Sequence, residues 1–137
     1  MNTYVIKAEV DRRGRKRFYF PAQKTMYGGK HIAKGDAVFI LASENEGGRG
    51  LIARGIVTLA ERIAPKPHVV RQTPRVNIAV ERRALAKRPL GRDVLKKFTD
   101  WKDGRPETEL NFKFYRQATN KIAGISDEAA AFLDRFF

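Results

Sequence analysis

The chain has 137 residues, of which 42% are hydrophobic, and its 28 lysines and arginines outnumber 15 aspartates and glutamates, for a formal net charge of +13. This length and composition predict a single globular domain, residues 1–137, with a core that needs neither disulfides nor metal. The absence of cysteine excludes disulfides, thiol nucleophiles and thiolate zinc sites. The two histidines, His31 and His68, lie far apart without a ligand-spaced partner, so no metal is expected.

The positive charge is concentrated in two stretches of the chain. Residues 1–35 carry +7 and residues 62–97 carry +9, whereas residues 36–61 carry −2 and residues 98–137 carry −1. Such a basic surface is typical of a protein that binds RNA or DNA. The alternatives are a charge that only maintains solubility and a scaffold that holds an acidic protein.

A membrane partner is not favoured by the sequence. No apolar run approaches the ~20 residues that span a bilayer, and the basic segments lack a clear apolar face at helical spacing. No signal peptide precedes Met1, so we expect a cytoplasmic protein.

In chain order, the first segments predict strands joined by a basic turn. Residues 3–10 (TYVIKAEV) alternate in polarity, which is typical of a half-buried strand. The DRRGRKR segment predicts a turn around Gly14, and the short aromatic FYFP piece is expected to end at Pro21. Residues 22–36, rich in glycine, predict a loop or a short helix.

A glycine-rich loop then separates two apolar runs in residues 35–57 (GDAVFILASENEGGRGLIARGIV). Phosphate-binding loops present backbone N–H groups at the start of a helix, and P-loops end in Gly-Lys-Ser/Thr. Here a β-prone run follows, and the two glutamates of the loop would repel an anion. We therefore predict a hairpin whose glycines supply positive φ values. Gly55, in the returning strand, predicts a bulge or a close backbone approach.

The later segments predict two helices and further strands. The PKP sequence at 65–67 marks a connection, and PRVNIAVERR predicts a strand. RPLGRDVLKKFTDW predicts a helix with an apolar stripe formed by Leu90, Val94, Phe98 and Trp101. LNFKFYRQA, residues 110–118, alternates again and predicts a strand. Ser126 is a good N-cap for a C-terminal helix, which its apolar residues would dock.

About six strands and two or three helices result, in an order that fits neither a parallel α/β sheet nor a sandwich. The prediction is an α+β fold: a small, mostly antiparallel β-barrel whose openings are covered by helices.

The central segment resembles a known superfamily. KGDAVFILASENEGGRGLIARGIV, residues 34–57, is similar to the central hairpin of PUA-like domains, particularly the EVE, YTH-related and ASCH branches. YVIKAEV lies where an EVE-like domain begins, and LNFKFYRQATNKIAGIS lies where such domains place a late strand. The resemblance implies a small pseudo-barrel that binds RNA or DNA, holding one modified or flipped base in a pocket.

Five residues are candidates for the base pocket. On the polar face of the predicted 110–118 strand, Asn111 would read a base edge and Tyr115 would stack, unless this face is merely solvated. Ser43 would bind a base from the strand end, or only cap the hairpin. Tyr27, beside glycines that permit close approach, would form a wall or pack on the barrel. Trp101 would stack on a base, although the apolar stripe favours core packing.

Twelve basic residues are candidates for phosphate contacts, with a solvated surface charge as the alternative for any one of them. They are Arg12, Arg13, Arg15, Lys16, Arg17, Lys24, Arg71, Arg75, Arg82, Arg83, Arg116 and Lys121.

Catalysis is the alternative class of function. Because some ASCH proteins are nucleases or amidohydrolases, a hydrolase acting on RNA or a modified nucleoside is considered. Lys24, Thr25 and Glu61 could supply such a set, but adjacent residues of an extended chain point to opposite sides. No paired carboxylates, nucleophile elbow or histidine dyad is found. We expect a binding module with no catalytic residues and no cofactor; the sequence does not indicate the oligomeric state.

Overall fold

The computed structural model describes residues 2–10, 15–44, 49–115 and 121–137. Six strands in these ranges close a barrel in the order β1-β3-β4-β5-β2-β6. The strands are β1 (Thr3–Ala8), β2 (Arg17–Met26), β3 (Ala37–Ala42), β4 (Gly50–Arg62), β5 (Arg75–Leu85) and β6 (Lys121–Gly124). The helices are α1 (Arg92–Leu95), α2 (Pro106–Tyr115) and α3 (Asp127–Asp134), with one 3-10 turn at Gly29–His31.

Antiparallel pairing predominates in the barrel. Strand β1 is parallel to β3, and β2 is parallel to β6, while the other four pairings are antiparallel. The predicted hairpin is confirmed, because β3 and β4 pair antiparallel across the glycine-rich connection. Gly50, the first residue of β4, has a positive φ of +83°, as predicted, while Gly47 and Gly48 lie outside the described residues. The α+β barrel predicted from the sequence is therefore the observed fold.

The apolar residues form two layers, one inside the barrel and one between its wall and the helices. Alternate residues of each strand, such as Ile6, Ile40 and Ile78, fill the interior. Their neighbours, such as Phe39, pack outward against Leu110 and the other apolar residues of the helices. A strand with apolar residues on both faces, such as AVFILA, satisfies both layers, which is why β3 is apolar throughout.

The predicted irregularity at Gly55 is confirmed. The register of β4 against β5 shifts between Arg54 and Gly55. A Cβ at Gly55 would overlap the carbonyl oxygen of Glu81, so only glycine allows β5 to approach this closely.

The predicted end of the second strand at Pro21 is wrong. Strand β2 continues to Met26 through an irregularity between Phe20 and Gln23. Ala22 takes a φ of +52° there, and its N–H donates to Asn77 Oδ1 at 2.7 Å. The side chain of the neighbouring strand thus replaces the ladder bond that the irregularity interrupts.

The predicted strand at 110–118 is also wrong, because residues 106–115 form helix α2. Pro106 occupies the first helical position, and Glu107 and Glu109 lie in the first turn, all of which favour a helix start. The alternation arises because Leu110 and Phe114 pack on the barrel, while Phe112 is covered from another side by Trp101. Residues 116–118 of that prediction lie outside the described residues.

The predicted stripe of the RPLGRDVLKKFTDW segment does not form. Helix α1 is a single turn, in which Leu95 is buried and Val94 is 41% exposed. Leu90 is buried just before it, and Trp101 is 66% exposed. The C-terminal helix is confirmed: Ser126 Oγ accepts a hydrogen bond from the Ala129 N–H at 3.1 Å.

Candidate functional site

One end of the barrel, here called the cleft end, carries two adjoining cavities. At this end β1, β3 and β5 begin and β2, β4 and β6 finish, as the pairings of Thr3 with Ala37 and of Tyr4 with Gly124 show. The cavities measure about 240 and 360 Å³, and both are lined by Tyr27 and Lys113. We call the smaller one the aromatic cleft; it is lined by Tyr27, Trp101, Asp103, Gly104, Arg105, Thr108, Glu109, Phe112 and Lys113.

Tyr27 is held at the cleft by an unusual backbone conformation. It directly follows β2, is 49% exposed and has a φ of +50°, in the region that favours glycine. A Cβ at Gly29 would overlap the carbonyl oxygen of Ile122, and a Cβ at Gly124 would overlap that of Tyr27 itself. Gly29 and Gly124 therefore allow the Tyr27 turn to pack against β6, whereas Gly28 has open space beside it and lines the larger cavity.

A second wall of the cleft is formed by Trp101, whose ring stacks on Phe112 with an interplanar angle of 19°. Phe112 is buried on α2, while Trp101 remains 66% exposed. Core packing, which the sequence favoured for Trp101, is therefore wrong; the indole covers a helix residue from outside. The cleft thus presents two aromatic side chains, Tyr27 and Trp101, that solvent can reach.

The carboxylate of Glu109 anchors the polar side of the cleft. It accepts hydrogen bonds from the Ser126 N–H at 2.8 Å, from the Ser126 hydroxyl at 2.5 Å and from Lys113 Nζ at 3.0 Å. Burial by itself raises the pKa of Glu109, but the hydrogen bonds from Ser126 and Lys113 outweigh it and lower the pKa below its ordinary 4.5. Glu109 is therefore ionised at neutral pH.

Lys113 is held between the two cavities. Its Nζ donates to the Gly124 carbonyl oxygen at 2.6 Å and lies 4.7 Å from the centroid of the Tyr27 ring. The ammonium group thus combines an ion pair with Glu109 and a cation–π contact with Tyr27.

Asp103 closes the cleft at the start of α2. Its Oδ1 accepts from the Arg105 N–H at 2.9 Å, and its Oδ2 accepts from Thr108 Oγ1 at 2.8 Å. The backbone hydrogen bond from Arg105 lowers the pKa of Asp103 below its ordinary value. Two aromatic faces bordered by ionised carboxylates suit a flat ligand that carries hydrogen-bond donors.

The other three base-pocket candidates do not line the aromatic cleft. Ser43 is buried at the end of β3, where its N–H donates to the Ala8 carbonyl oxygen at 2.9 Å. Asn111 is buried on α2, and its Nδ2 donates to the Phe98 carbonyl oxygen at 2.9 Å. The structure therefore brings together Tyr27 and Trp101 and separates them from Ser43 and Asn111.

Tyr115, the fifth candidate, belongs to a compact polar cluster at the C-terminal end of α2. Its hydroxyl donates to Glu44 Oε1, and its ring lies 5.0 Å from both Lys7 Nζ and the Arg92 guanidinium carbon. Burial, and next the hydrogen bond to Glu44, raise the pKa of Tyr115. Lys7 is buried and donates to the Phe114 carbonyl oxygen at 2.8 Å. Burial, and next the nearby Arg92, lower the pKa of Lys7.

Three phosphate candidates form a cationic row across the outside of the barrel. Lys24 of β2 is paired with Arg75 of β5 on one side and with Lys121 of β6 on the other. Neighbouring strands lie about 4.8 Å apart, so the three residues span about 10 Å of the barrel wall. Burial, and next the charge of Lys24, lower the pKa of Lys121. Thr25 faces the other way and its hydroxyl donates to the Pro74 carbonyl oxygen at 2.8 Å, so Lys24 and Thr25 do not share a site.

A second group of phosphate candidates lies at the opposite end of the β2–β5 ladder. The Arg82 N–H donates to the Lys16 carbonyl oxygen at 2.7 Å, and Arg17 pairs with Glu81. Two basic stretches that are distant in sequence therefore meet there. The residues of this group are Arg15, Lys16, Arg17, Arg82 and Arg83, while Arg71 lies in the connection between β4 and β5. Arg12, Arg13 and Arg116 lie outside the described residues.

Three polar residues of the cleft were not predicted from the sequence: Asp103, Glu109 and Lys113. One signal was available, since Pro106 followed by two glutamates marks a helix start. A helix over this segment places Glu109 and Lys113 four residues apart on one face.

Among the residues that the structure describes, no group of three or more His, Asp or Glu side chains is placed to hold a metal ion. No helix in the same ranges is long and apolar enough to cross a membrane.

The chain was compared with known proteins. No family model matches it, and no curated protein sequence matches it. Human THYN1 (thymocyte nuclear protein 1) is similar in structure, with a TM-score of 0.64 and 16% identity over 96% of this chain and 95% of that chain. That structure was solved in complex with DNA that contains 5-methylcytosine. A hypothetical protein from Leishmania major has a TM-score of 0.65 and 16% identity over 98% and 93% of the two chains.

A protein from Pseudomonas putida is similar as well, with a TM-score of 0.65 and 15% identity over 98% of both chains. The DUF55 domain of human thymocyte nuclear protein 1, solved by itself, gives a TM-score of 0.62 at 16% identity over 95% of both chains. At such identities the likeness establishes the fold. The chain therefore shares the fold of these structures, among them the DUF55 domain.

Proposed function

We propose that residues 1–137 form one nucleic-acid-binding domain that holds a single base of RNA or DNA in the aromatic cleft. The observation that carries this proposal is the pair of accessible aromatic walls, Tyr27 and Trp101, around a cavity of about 240 Å³. Unstacked bases bind to proteins chiefly by stacking on such side chains, at about 1–3 kcal/mol per base. The carboxylates of Asp103 and Glu109 supply acceptors for the amino group of a base.

The cationic row provides the phosphate contacts in this proposal. Lys24 lies three residues before Tyr27, so at most about 10 Å of extended chain separates their backbones. A nucleic-acid strand whose base occupies the cleft can therefore place its flanking phosphates over Lys24, Arg75 and Lys121. Counterion release from those phosphates makes the affinity depend on salt.

The similarity to human THYN1 supports the choice of ligand. That protein was solved with DNA containing 5-methylcytosine. A domain of the same fold with an aromatic cleft is consistent with recognition of a modified base that has been taken out of the stack.

The test is a binding titration by fluorescence anisotropy. Single-stranded oligonucleotides of one sequence are compared as RNA, as DNA and as DNA with one 5-methylcytosine, each at several salt concentrations. We expect affinity to fall as salt rises and the Trp101→Ala variant to bind about 10- to 100-fold more weakly. Leu59→Ala, which removes another exposed apolar side chain, this one from β4, is the control and is expected to bind normally. A flat salt dependence, or equal affinities for the two variants, would refute the proposal.

A further inference from the structure

The connection between β4 and β5, residues 63–74, folds into an ordered loop at the cleft end of the barrel. Gln72 holds the loop together: its Oε1 accepts from the Lys66 N–H at 2.9 Å, and its Nε2 donates to the carbonyl oxygens of Lys66 at 2.7 Å and Val69 at 2.9 Å. The Ile63 N–H donates to the Arg75 carbonyl oxygen at 3.0 Å and closes the base of the loop. This loop, here called the 63–74 loop, is thus preorganised without a regular strand or helix.

The tip of the loop exposes apolar side chains among cations. Val70 is 99% exposed and Val69 is 45% exposed. The loop and the barrel wall enclose a groove of about 610 Å³, and its charged lining residues are Lys24, Lys66, Arg71 and Arg75. No acidic side chain lines the groove within the described part of the chain. The charge of the groove therefore complements a polyanion and not a basic or neutral partner.

Lys24 connects the groove to the strand that precedes Tyr27. This residue lines the groove, belongs to the cationic row and lies on β2 three residues before Tyr27. The Thr25 hydroxyl fastens the end of the loop by donating to the Pro74 carbonyl oxygen at 2.8 Å. Arg62, just before the loop, donates to the carbonyl oxygens of Lys30 at 2.9 Å and Ile32 at 2.7 Å, in the segment that follows Tyr27. Loop and cleft are thus braced to the same strand and turn.

Resting on the proposed function, we propose that the 63–74 loop grips a duplex beside the nucleotide whose base enters the aromatic cleft. The sugar–phosphate backbone passes through the groove over its lysines and arginines. Val70 packs against the base pair that loses its stacking neighbour when the base leaves the helix. Proteins that kink or open a duplex insert apolar side chains between base steps in this way and offset part of the unstacking energy.

The experiment separates duplex binding from base binding. Wild type, Val70→Ser, Val94→Ser and Tyr27→Ala are titrated with one 5-methylcytosine-containing DNA sequence, as a single strand and as a duplex. A 2-aminopurine next to the methylated base reports loss of stacking through its fluorescence. We expect Val70→Ser to weaken duplex binding about tenfold and reduce the fluorescence rise, because a buried valine contact is lost. Its single-strand affinity is expected to stay unchanged.

The matched control is Val94→Ser, a partly exposed valine of α1, which is expected to bind both probes as wild type does. Both valines are solvent-accessible, so neither serine variant should impair folding. If Val70→Ser changes the affinity for neither probe, or for both equally, the inference is refuted. The proposed function still stands in that case if Tyr27→Ala weakens binding of both probes. A wild type that binds the single strand but not the duplex also refutes the inference. Failure of wild type with both probes refutes the inference and the proposed function together.

Discussion

Two tyrosines of this protein each lie about 5 Å from a lysine ammonium, but only Tyr27 lines the aromatic cleft. Tyr27 faces the aromatic cleft, with Lys113 4.7 Å from its ring centroid. Tyr115 lies beneath Lys7 and Arg92, and its hydroxyl is committed to Glu44. The same pair of residue types therefore forms a solvent-accessible surface at one end of the barrel, here the open end, and a structural cluster towards the other, here the closed end.

The hydrogen bonds explain the difference between the two ends. At the closed end, each polar group is satisfied by protein: the Glu44 carboxylate accepts from Tyr115 and from the Arg92 N–H at 3.1 Å, and Lys7 donates to a backbone carbonyl. At the open end, the hydrogen-bonded side chains of Asp103, Glu109 and Lys113 lie along the cleft, and the rings of Tyr27 and Trp101 remain exposed to solvent. Aromatic and cationic residues together do not by themselves mark a binding site; accessibility decides.

The largest effect is expected at the closed end. Tyr115→Phe removes the hydroxyl that donates to Glu44 and leaves this carboxylate with the hydrogen bond from the Arg92 N–H. Loss of a hydrogen bond to a charged group costs about 1.5–3 kcal/mol. Urea unfolding of wild type and variant measures this loss. Because Tyr115 does not line the cleft, nucleic-acid affinity is expected to stay within twofold; a large loss of affinity without loss of stability would reverse the assignment of the two ends.

The next effect is expected at the open end. Tyr27→Gly removes one stacking surface, and affinity should fall by about 1–3 kcal/mol. Because Tyr27 has a φ of +50°, glycine relieves backbone strain there and offsets the lost side-chain contacts. We expect the free energy of unfolding to change by less than about 1 kcal/mol. A parallel loss of stability and affinity would show that Tyr27 is a packing residue.

A smaller effect, with a defined pH dependence, is expected from Glu109→Gln. The pKa of Glu109 is below its ordinary 4.5 in the folded protein, so its stabilising contribution is present above pH 4.5 and is lost as the pH falls through the folded-state value. The variant should be about 1 kcal/mol less stable near neutral pH. Unfolding measured at about pH 3 should show a smaller difference between the two proteins. A difference that does not depend on pH would contradict the ionic role of Glu109.

The smallest effect is expected from Lys24→Gln. The loss of one phosphate contact reduces the slope of log K against log[salt] by about 0.7–0.9 and weakens binding uniformly across sequences. Lys96→Gln, an exposed lysine after α1 that lies outside the cationic row, is the control and should leave the slope unchanged. Equal slopes for both variants would remove Lys24 from the phosphate surface.

The elements that could be predicted were those specified by residues close together in the sequence. The hairpin, the irregularity at Gly55 and the helix after Ser126 depend on local backbone chemistry that residue type reports directly. The 110–118 segment was predicted to be a strand because Phe112 gives it an alternating apolar pattern. In the structure Phe112 lies on a second face of helix α2, where Trp101 covers it. A contact with a residue outside the segment cannot be recognised from the periodicity of the segment itself.

The sequence alone determined that this protein is strongly basic, rich in β-structure and similar to PUA-like domains in its central hairpin, because charge and alternation are properties of residues in order. Only the tertiary structure decided which residues share a site. Strand pairing makes Lys24, Arg75 and Lys121 neighbours, and Tyr27 and Trp101 line one cleft, although long stretches of chain separate them. Strand register and packing between distant elements fix these positions. The same packing covers Tyr115 and leaves Tyr27 accessible.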